Sequence, residues 1–274
     1  DENEQQQTNI SSKINIPANN GDHFISLNFN EQIMSTPGNR NQDQLYTDRK
    51  GSSTPDDFIN SLGGSAMYGK STKINETLTF NVNSSYRHKH SYYDLQSSTS
   101  PSYGDTVLSN FQITPRINKI YTINNINFNS VLGIDMQIAD YHSFRKKEKD
   151  SIPVHEYNGD LYAQAIYLQN NIEITNNTKL GLGFRSQRNV IKISDNVNSN
   201  APNYQSWTVG HARHSQTETN YAYNIGLEKS LANSTMIYSR YGNGFRFPNI
   251  DDRIGGSGGA SLELETQKSE DVEL

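Results

Sequence analysis

The chain has no cysteine, so it has no disulfide framework, no thiolate metal site and no cysteine nucleophile. It has no apolar run of about 18 residues, the length a transmembrane helix needs, and a helical membrane protein is excluded. A basic surface is lacking too: 24 Lys and Arg against 29 Asp and Glu leave a net charge of −5, which speaks against nucleic acid as a partner. Nor is there a nucleophile elbow, a phosphate-cradling glycine loop opening a helix, or a pair of carboxylates poised on facing elements. No catalytic residue, cofactor or enzyme activity is therefore expected. A charged-then-apolar leader is absent from the segment beginning at Asp1, and the chain is expected to be a fragment cut at both ends.

What is present is an unusual mixture. Only 32% of the residues are hydrophobic, yet 10% are aromatic, with sixteen Tyr. A disordered chain would be short of aromatic and β-branched residues, so the apolar residues here must be arranged rather than merely scarce. The arrangement has period two. Leu78, Phe80, Val82, Ser84, Tyr86 and His88 alternate with Thr79, Asn81, Asn83, Ser85 and Arg87. The pattern recurs from Ile126 through Phe128, Ser130, Leu132, Ile134 and Met136 to Ile138, against Asn127, Asn129, Val131, Asp135 and Gln137. Shorter versions occur at Ile25-Leu27-Phe29, Leu180-Leu182-Phe184 and Tyr221-Tyr223-Ile225-Leu227. About eleven such segments are expected as strands, each with one apolar and one polar face.

The joins between these segments alternate in length. Short ones are expected at Asn19-Asn20-Gly21-Asp22, Lys73-Ile74-Asn75, Asn118-Lys119, Asn176-Asn177-Thr178-Lys179 and Ala232-Asn233-Ser234. Long polar ones are expected at 36–56, 96–103, 146–158, 196–214 and 248–263. A soluble sandwich has no reason to collect its long loops at one end. A transmembrane barrel does, with apolar side chains toward lipid, polar ones toward the lumen, and strands of about 9–11 residues needed to cross. The fold class expected is all-β, an antiparallel up-and-down transmembrane β-barrel that is partial in this chain. Tyr86, Tyr92, Tyr93, Tyr141 and Phe144 fall near the strand tops, where an aromatic girdle would lie.

Two motifs carry a resemblance. The stretch "MIYSRYGNGFRFPNIDDR" with "ETQKSEDVEL" beyond it is similar to a strand–loop–strand of TonB-dependent outer-membrane receptors, with Gly244, Phe245, Arg246 and Pro248 as the matching strand top. "LYTDRKGSSTPDDF" resembles a loop of one branch of that family, through Thr47, Asp48 and Arg49. The resemblance covers residues 1–274 as a partial barrel domain with no plug domain. It implies an outer-membrane location in a Gram-negative bacterium and uptake of a scarce ligand, commonly an iron–siderophore complex. The TonB complex would drive uptake through a plug domain absent from this chain, inside a barrel of about twice as many strands. Outer-membrane lipid and lipopolysaccharide would be further partners. A passive porin-like channel and a soluble β-rich surface-binding protein are the alternatives.

Parity puts Arg240 and Arg246 on one face of their strand and Ile237, Tyr241, Phe245 and Phe247 on the other. Lumen-facing is the cheaper side for Arg240, where it would meet a carboxylate of the wall or plug, or an anionic ligand. Gly242 and Gly244 are expected to permit a bulge or bend. His211 and His214, expected in a long loop, are the remaining ligand-binding candidates, and His88 and His90 share one strand face. Neither histidine pair has a third ligand at metal-binding spacing, so no metal site is expected. Phe245-Arg246-Phe247-Pro248 also departs from the haem receptors' motif at its third position, which argues against haem. The run Arg145-Lys146-Lys147-Glu148-Lys149 is expected to meet surface phosphates. The Gly-rich, acidic stretches of the long loops are expected to be flexible.

Overall fold

The computed structural model describes residues 4–36, 38, 40–96, 101–206, 213–231, 235–254 and 264–274. They form one antiparallel sheet whose eleven strands follow sequence order. The strands are β1 (Gln5–Ala18), β2 (Gly21–Ser35), β3 (Phe58–Lys73), β4 (Leu78–Leu95), β5 (Ser102–Ile123) and β6 (Ile126–Lys146). They continue as β7 (His155–Thr175), β8 (Thr178–Val197), β9 (Arg213–Ser230), β10 (Met236–Arg246) and β11 (Gln267–Glu273). Helix α1 (Gln42–Thr47) lies between β2 and β3, and helix α2 (Ile250–Ile254) between β10 and β11. This is the expected up-and-down order; β1 and β11 are free edges, so the sheet does not close in this chain.

Short joins collect at one end of the sheet, as the alternation predicts, with one correction. Asn118 and Lys119 are not a turn: they pair with Thr79 and Leu78 on β4 and with Val131 and Ser130 on β6. The chain reverses instead at Asn124 and Asn125, whose φ angles of 50° and 65° are those of a two-residue hairpin turn. Asparagine tolerates this left-handed region better than other side-chain-bearing residues, which makes Asn-Asn the stronger signal. The turn at 232–234 lies outside the described residues. The loop expected at 146–158 is shorter than predicted, because β6 runs to Lys146 and β7 begins at His155.

The ladder assigns faces. Ile134 is opposite Ile166 and Leu132 opposite Leu168. These side chains are exposed, as are Met136, Ile138, Phe111 and Tyr86. The other face holds the polar alternates, including Asp135 and Arg185, whose carboxylate and guanidinium meet at 2.5 Å. Gln187 accepts from Arg185 and donates to Asn189 at 2.9 Å, which extends the network along β8.

The apolar band crosses the ladder obliquely. Following hydrogen-bonded partners from Ile25 leads through Tyr68, Ser84, Ile113, Met136, Gln164 and Arg188 to Thr219. Ile25 is the apolar residue of its band nearest the short turn, whereas Thr219 lies beyond the far end of the Tyr221–Leu227 band. A level apolar belt can slide across the register in this way only if the strands are inclined to it, the geometry of a tilted barrel wall. Replacing Asn125 by Val forces a β-branched residue into a positive φ and is expected to cost about 1–2 kcal/mol. A lowered thermal midpoint of the folded full-length protein checks this, with Asn118→Val as the strand control that leaves it unchanged.

Candidate functional site

At the long-loop end of the polar face, Tyr141 on β6, Tyr157 on β7, and Ile191 and Ile193 on β8 form the main buried apolar cluster of the described residues. They are buried because α2 turns inward and seats Ile250 and Ile254 on them, with Leu108 and Leu161 at the margin. Gly159 makes room: a Cβ there would lie 2.9 Å from Cδ1 of Ile250. Burying two isoleucines stabilises docking by about 1.5–3 kcal/mol each.

Polar contacts fix the orientation of α2. Asn249 and Asp252 cap each other, Asn249 Oδ1 accepting from the Asp252 N–H at 2.7 Å and Asp252 Oδ2 from the Asn249 N–H at 3.0 Å. Arg253, almost fully buried, donates to Glu218 Oε1 at 2.9 Å and to Gln216 on β9. Thr266 donates to the other Glu218 oxygen and accepts from Asn220 at 3.0 Å, so the chain leaving the loop is tied to the same carboxylate.

One carboxylate of α2 enters a cationic, aromatic corner. Tyr141 donates to Asp251 Oδ1 at 2.6 Å, and Arg145 Nη2 stands 3.9 Å from the same oxygen. The Arg145 guanidinium lies 5.0 Å from the centre of the Tyr157 ring, which also stacks on His155 at 5.2 Å. His155 in turn meets Asp195 at 2.9 Å, both buried. Across the register Arg145 is opposite Gly104, which is opposite Tyr93. A Cβ at Gly104 would come within 2.1 Å of the Tyr93 ring, so this glycine leaves the space that the ring occupies.

This arrangement corrects two expectations. Tyr141 and Tyr93 are not girdle aromatics: their parity places them on the polar face, while Tyr86, Tyr92 and Phe144 occupy the apolar one. The basic run is not one phosphate-facing patch either. Arg145 turns inward and Lys147 is buried, which pushes its ammonium pKa down. Lys149 pairs with buried Asp94 at 2.7 Å, and this contact raises its pKa.

A model of the TonB-dependent receptor-like β-barrel family matches residues 3–274. The chain belongs to this family. Among solved structures it resembles the ferric citrate transporter FecA in its unliganded form, at TM-score 0.78 and 15% identity, covering 88% of this chain and 36% of that one. It resembles BauA, the ferric preacinetobactin receptor of Acinetobacter baumannii, at TM-score 0.70 and 11% identity, over 97% of this chain and 43% of that one. The copper transporter OprC gives TM-score 0.72 and 11% identity, over 98% and 42%. The chain thus spans less than half the length of each. At such identities the likeness shows the fold alone. A comparison with curated proteins finds no match. TonB-dependent receptor barrels are outer-membrane proteins of Gram-negative bacteria, transporters and receptors rather than enzymes.

The residues of the TonB-dependent receptor motifs serve local structure. Thr47 ends α1 by donating to the Asp43 carbonyl at 2.8 Å, Asp48 Oδ1 accepts from the Lys50 N–H at 3.1 Å, and Arg49 lies in the turn that follows. Arg40 binds the carbonyls of Gln44, Asp48 and Gly51 and holds that turn. At the strand top, pairing with β9 ends at Gly242, and the Asn243 side chain takes over the ladder by accepting from Tyr223 N and donating to Tyr221 O. Pairing with β11 runs on through Gly244 and Phe245 to Arg246 without a register shift, so neither glycine makes a bulge there. Phe245 and Phe247 meet edge to face at 5.2 Å, and Pro248 follows as the chain turns toward α2.

The ligand candidates are not brought together. Arg246 pairs with Asp252 at 3.2 Å. Arg240 lies opposite Gly226 and Glu273 and lines a recess of about 750 Å³ toward the short-turn end, with Glu173, Lys179 and Glu228. Six residues of extended chain separate the two arginines, about 20 Å. His214 is not in a loop but begins β9, half-buried, with Nε2 3.5 Å from Gln216 Oε1. His211 lies outside the described residues. His88 meets Ser109 at 3.0 Å and His90 meets Asp105 at 2.7 Å. Among the described residues no group of three or more His, Cys, Asp or Glu stands together as metal ligands.

Sequence reasoning missed Tyr141, Arg145, Glu218 and Arg253 as one site. Parity counted from Ile138 would have moved Tyr141 and Arg145 inward, but nothing local marks "NIDDRI" as a docked helix. Arg253→Ala leaves Glu218 without its buried partner and is expected to weaken α2 docking by about 1.5–3 kcal/mol. Faster amide exchange across 250–254, with β6–β8 unchanged, is the measurement that checks it.

Proposed function

We propose that this chain forms part of the wall of an outer-membrane receptor that takes up a scarce iron–siderophore complex with energy from the TonB system. The observation that carries this reading is the family match over almost the whole chain, joined to a sheet with one apolar and one polar face. Iron as cargo is supported by relatives whose own ligands are ferric citrate and ferric preacinetobactin. In this reading the apolar face meets lipid, the long loops face outward, and the α2 corner stands where ligand enters the lumen. Lipopolysaccharide meets the exposed belt above the band, and a plug domain encoded outside these residues couples the barrel to TonB. A porin-like channel is the weaker alternative, because α2 folds onto the polar wall rather than leaving it open.

The decisive experiment compares cells carrying the full-length protein with a deletion strain under iron starvation, using radioactive iron on a panel of siderophores. Uptake that stops when a protonophore collapses the inner-membrane potential is expected. Uptake that persists, or passive sugar leakage at the same rate, would overturn it in favour of a channel. Ile134→Arg, on the apolar face, is expected to cost about 2–4 kcal/mol in bilayer insertion near the midplane, and Gln137→Arg, on the polar face, far less. The yield of heat-modifiable folded protein in the outer membrane reads this difference.

A further inference from the structure

At the short-turn end the apolar face gains a cationic edge. Lys70 follows Tyr68 by two residues on β3, Lys119 follows Ile117 on β5, and Lys229 follows Leu227 on β9. Each lysine therefore keeps the parity of the band and stands next beyond one of its exposed side chains. The three are not on one ladder row. Lys70 shares its row with Pro115 on β5, and Lys119 with Ile225 on β9, so each later lysine is displaced toward the short turns. The oblique band is displaced the same way, which puts the lysines along its edge. From β2 to β10, no described carboxylate takes an apolar-face strand position at that end: Asp22, Glu173 and Glu228 all have the polar-face parity.

Around Lys119 this edge is built from several side chains. Its Nζ stands 5.5 Å from the centre of the Tyr121 ring, which stacks on Phe128 at 5.0 Å and 4°. The ladder row running from Lys119 continues with Ser130 on β6 and Asn170 on β7. Ser130 Oγ lies 3.3 Å from the Tyr121 hydroxyl oxygen and donates to Asn170 Oδ1. With Oδ1 engaged, the Asn170 amide has two N–H groups left to donate. Two strand spacings, about 10 Å, separate the backbones of Lys119 and Asn170, and both side chains can close on one phosphate between them. A positive charge and amide donors, with no carboxylate to take them, stand here on a face otherwise fitted to hydrocarbon.

The geometry points to Lys119 and Asn170 as a binding site for the phosphate of a glycerophospholipid. Its acyl chains run along the apolar band, and Tyr121 and Phe128 pack beside its glycerol. Lys70 and Lys229 continue the same cationic edge. The lipid belongs to the leaflet at the short-turn end, which the proposed orientation makes the inner one, away from the lipopolysaccharide. This rests on the lipid-facing assignment of the apolar face, which Ile134→Arg tests by itself, and not on the identity of the cargo.

The test titrates dioleoyl phosphatidylglycerol onto the full-length protein in a nonionic detergent and counts bound lipid by native mass spectrometry. Lys119→Gln is expected to weaken binding about 5-fold, the worth of one lysine at a lipid surface. Lys119→Arg is expected to keep it, and so is Lys179→Gln, which removes a lysine of the polar face at the same end. Dioleoylglycerol, which lacks the phosphate, is expected to bind the unaltered protein and Lys119→Gln alike. Should the lysine variant not give the heat-modifiable folded form, Asn170→Leu removes the amide donors, suits the lipid-facing side and is expected to weaken binding in the same way. Equal binding of the phospholipid by Lys119→Gln overturns the inference, as does an equal loss in Lys179→Gln, which would mark a general effect of charge. A lower yield of folded protein with undiminished lipid per folded molecule assigns Lys119 a structural role and overturns it too. Displacement of the lipid by millimolar inorganic phosphate would make the occupant a free anion and overturn the lipid assignment.

Discussion

Everything in this chain depends on the backbone ladder. Each strand from β2 to β10 is hydrogen-bonded on both sides, and that pairing fixes which face every side chain takes. A slip of one residue would exchange the faces, putting Asp135 and Gln137 where Ile134 and Met136 now stand. In lipid that exchange is prohibitive, since the backbone must pair internally and the exposed face must be apolar. The low hydrophobic content follows directly: only half of each crossing strand has to be apolar.

The oblique course of the apolar band and the docked helix are two consequences of the same ladder. Tilt carries the band down the register from β2 to β9, and it leaves the long-loop halves of β6, β7 and β8 extending beyond it. On those extensions the polar-face positions are taken by Tyr141, Tyr157, Ile191 and Ile193 rather than by asparagine and serine. Apolar side chains on the inner face need a cover, and α2 supplies it. The site is thus built where the wall outgrows the apolar band, from strand positions whose parity is polar and whose chemistry is not.

Period two made the fold legible, because strands of 18 to 22 residues repeat the pattern many times. Strand order, the polar and apolar faces and the two-ended loop pattern all follow from it. The Asn118-Lys119 turn failed because composition alone cannot separate Asn in a strand from Asn at positive φ. The candidate site was much less legible. Arg246 drew notice through its motif but is engaged by Asp252, six residues on, while Arg145 passed as one member of a basic run. Contacts such as Tyr141 with Asp251 join residues 110 positions apart, and no local pattern encodes them.

The absence of cysteine from this chain permits a direct test of the face assignment. Single cysteines at positions 134 to 141 of β6 in the full-length protein, kept in native membranes, would be offered a charged maleimide and a lipid-soluble one. The account predicts strict alternation: 134, 136 and 138 labelled from lipid, 135 and 137 from water, and 141 protected from both while α2 is docked. Labelling of successive positions by the same reagent, or a phase change before 141, would contradict it.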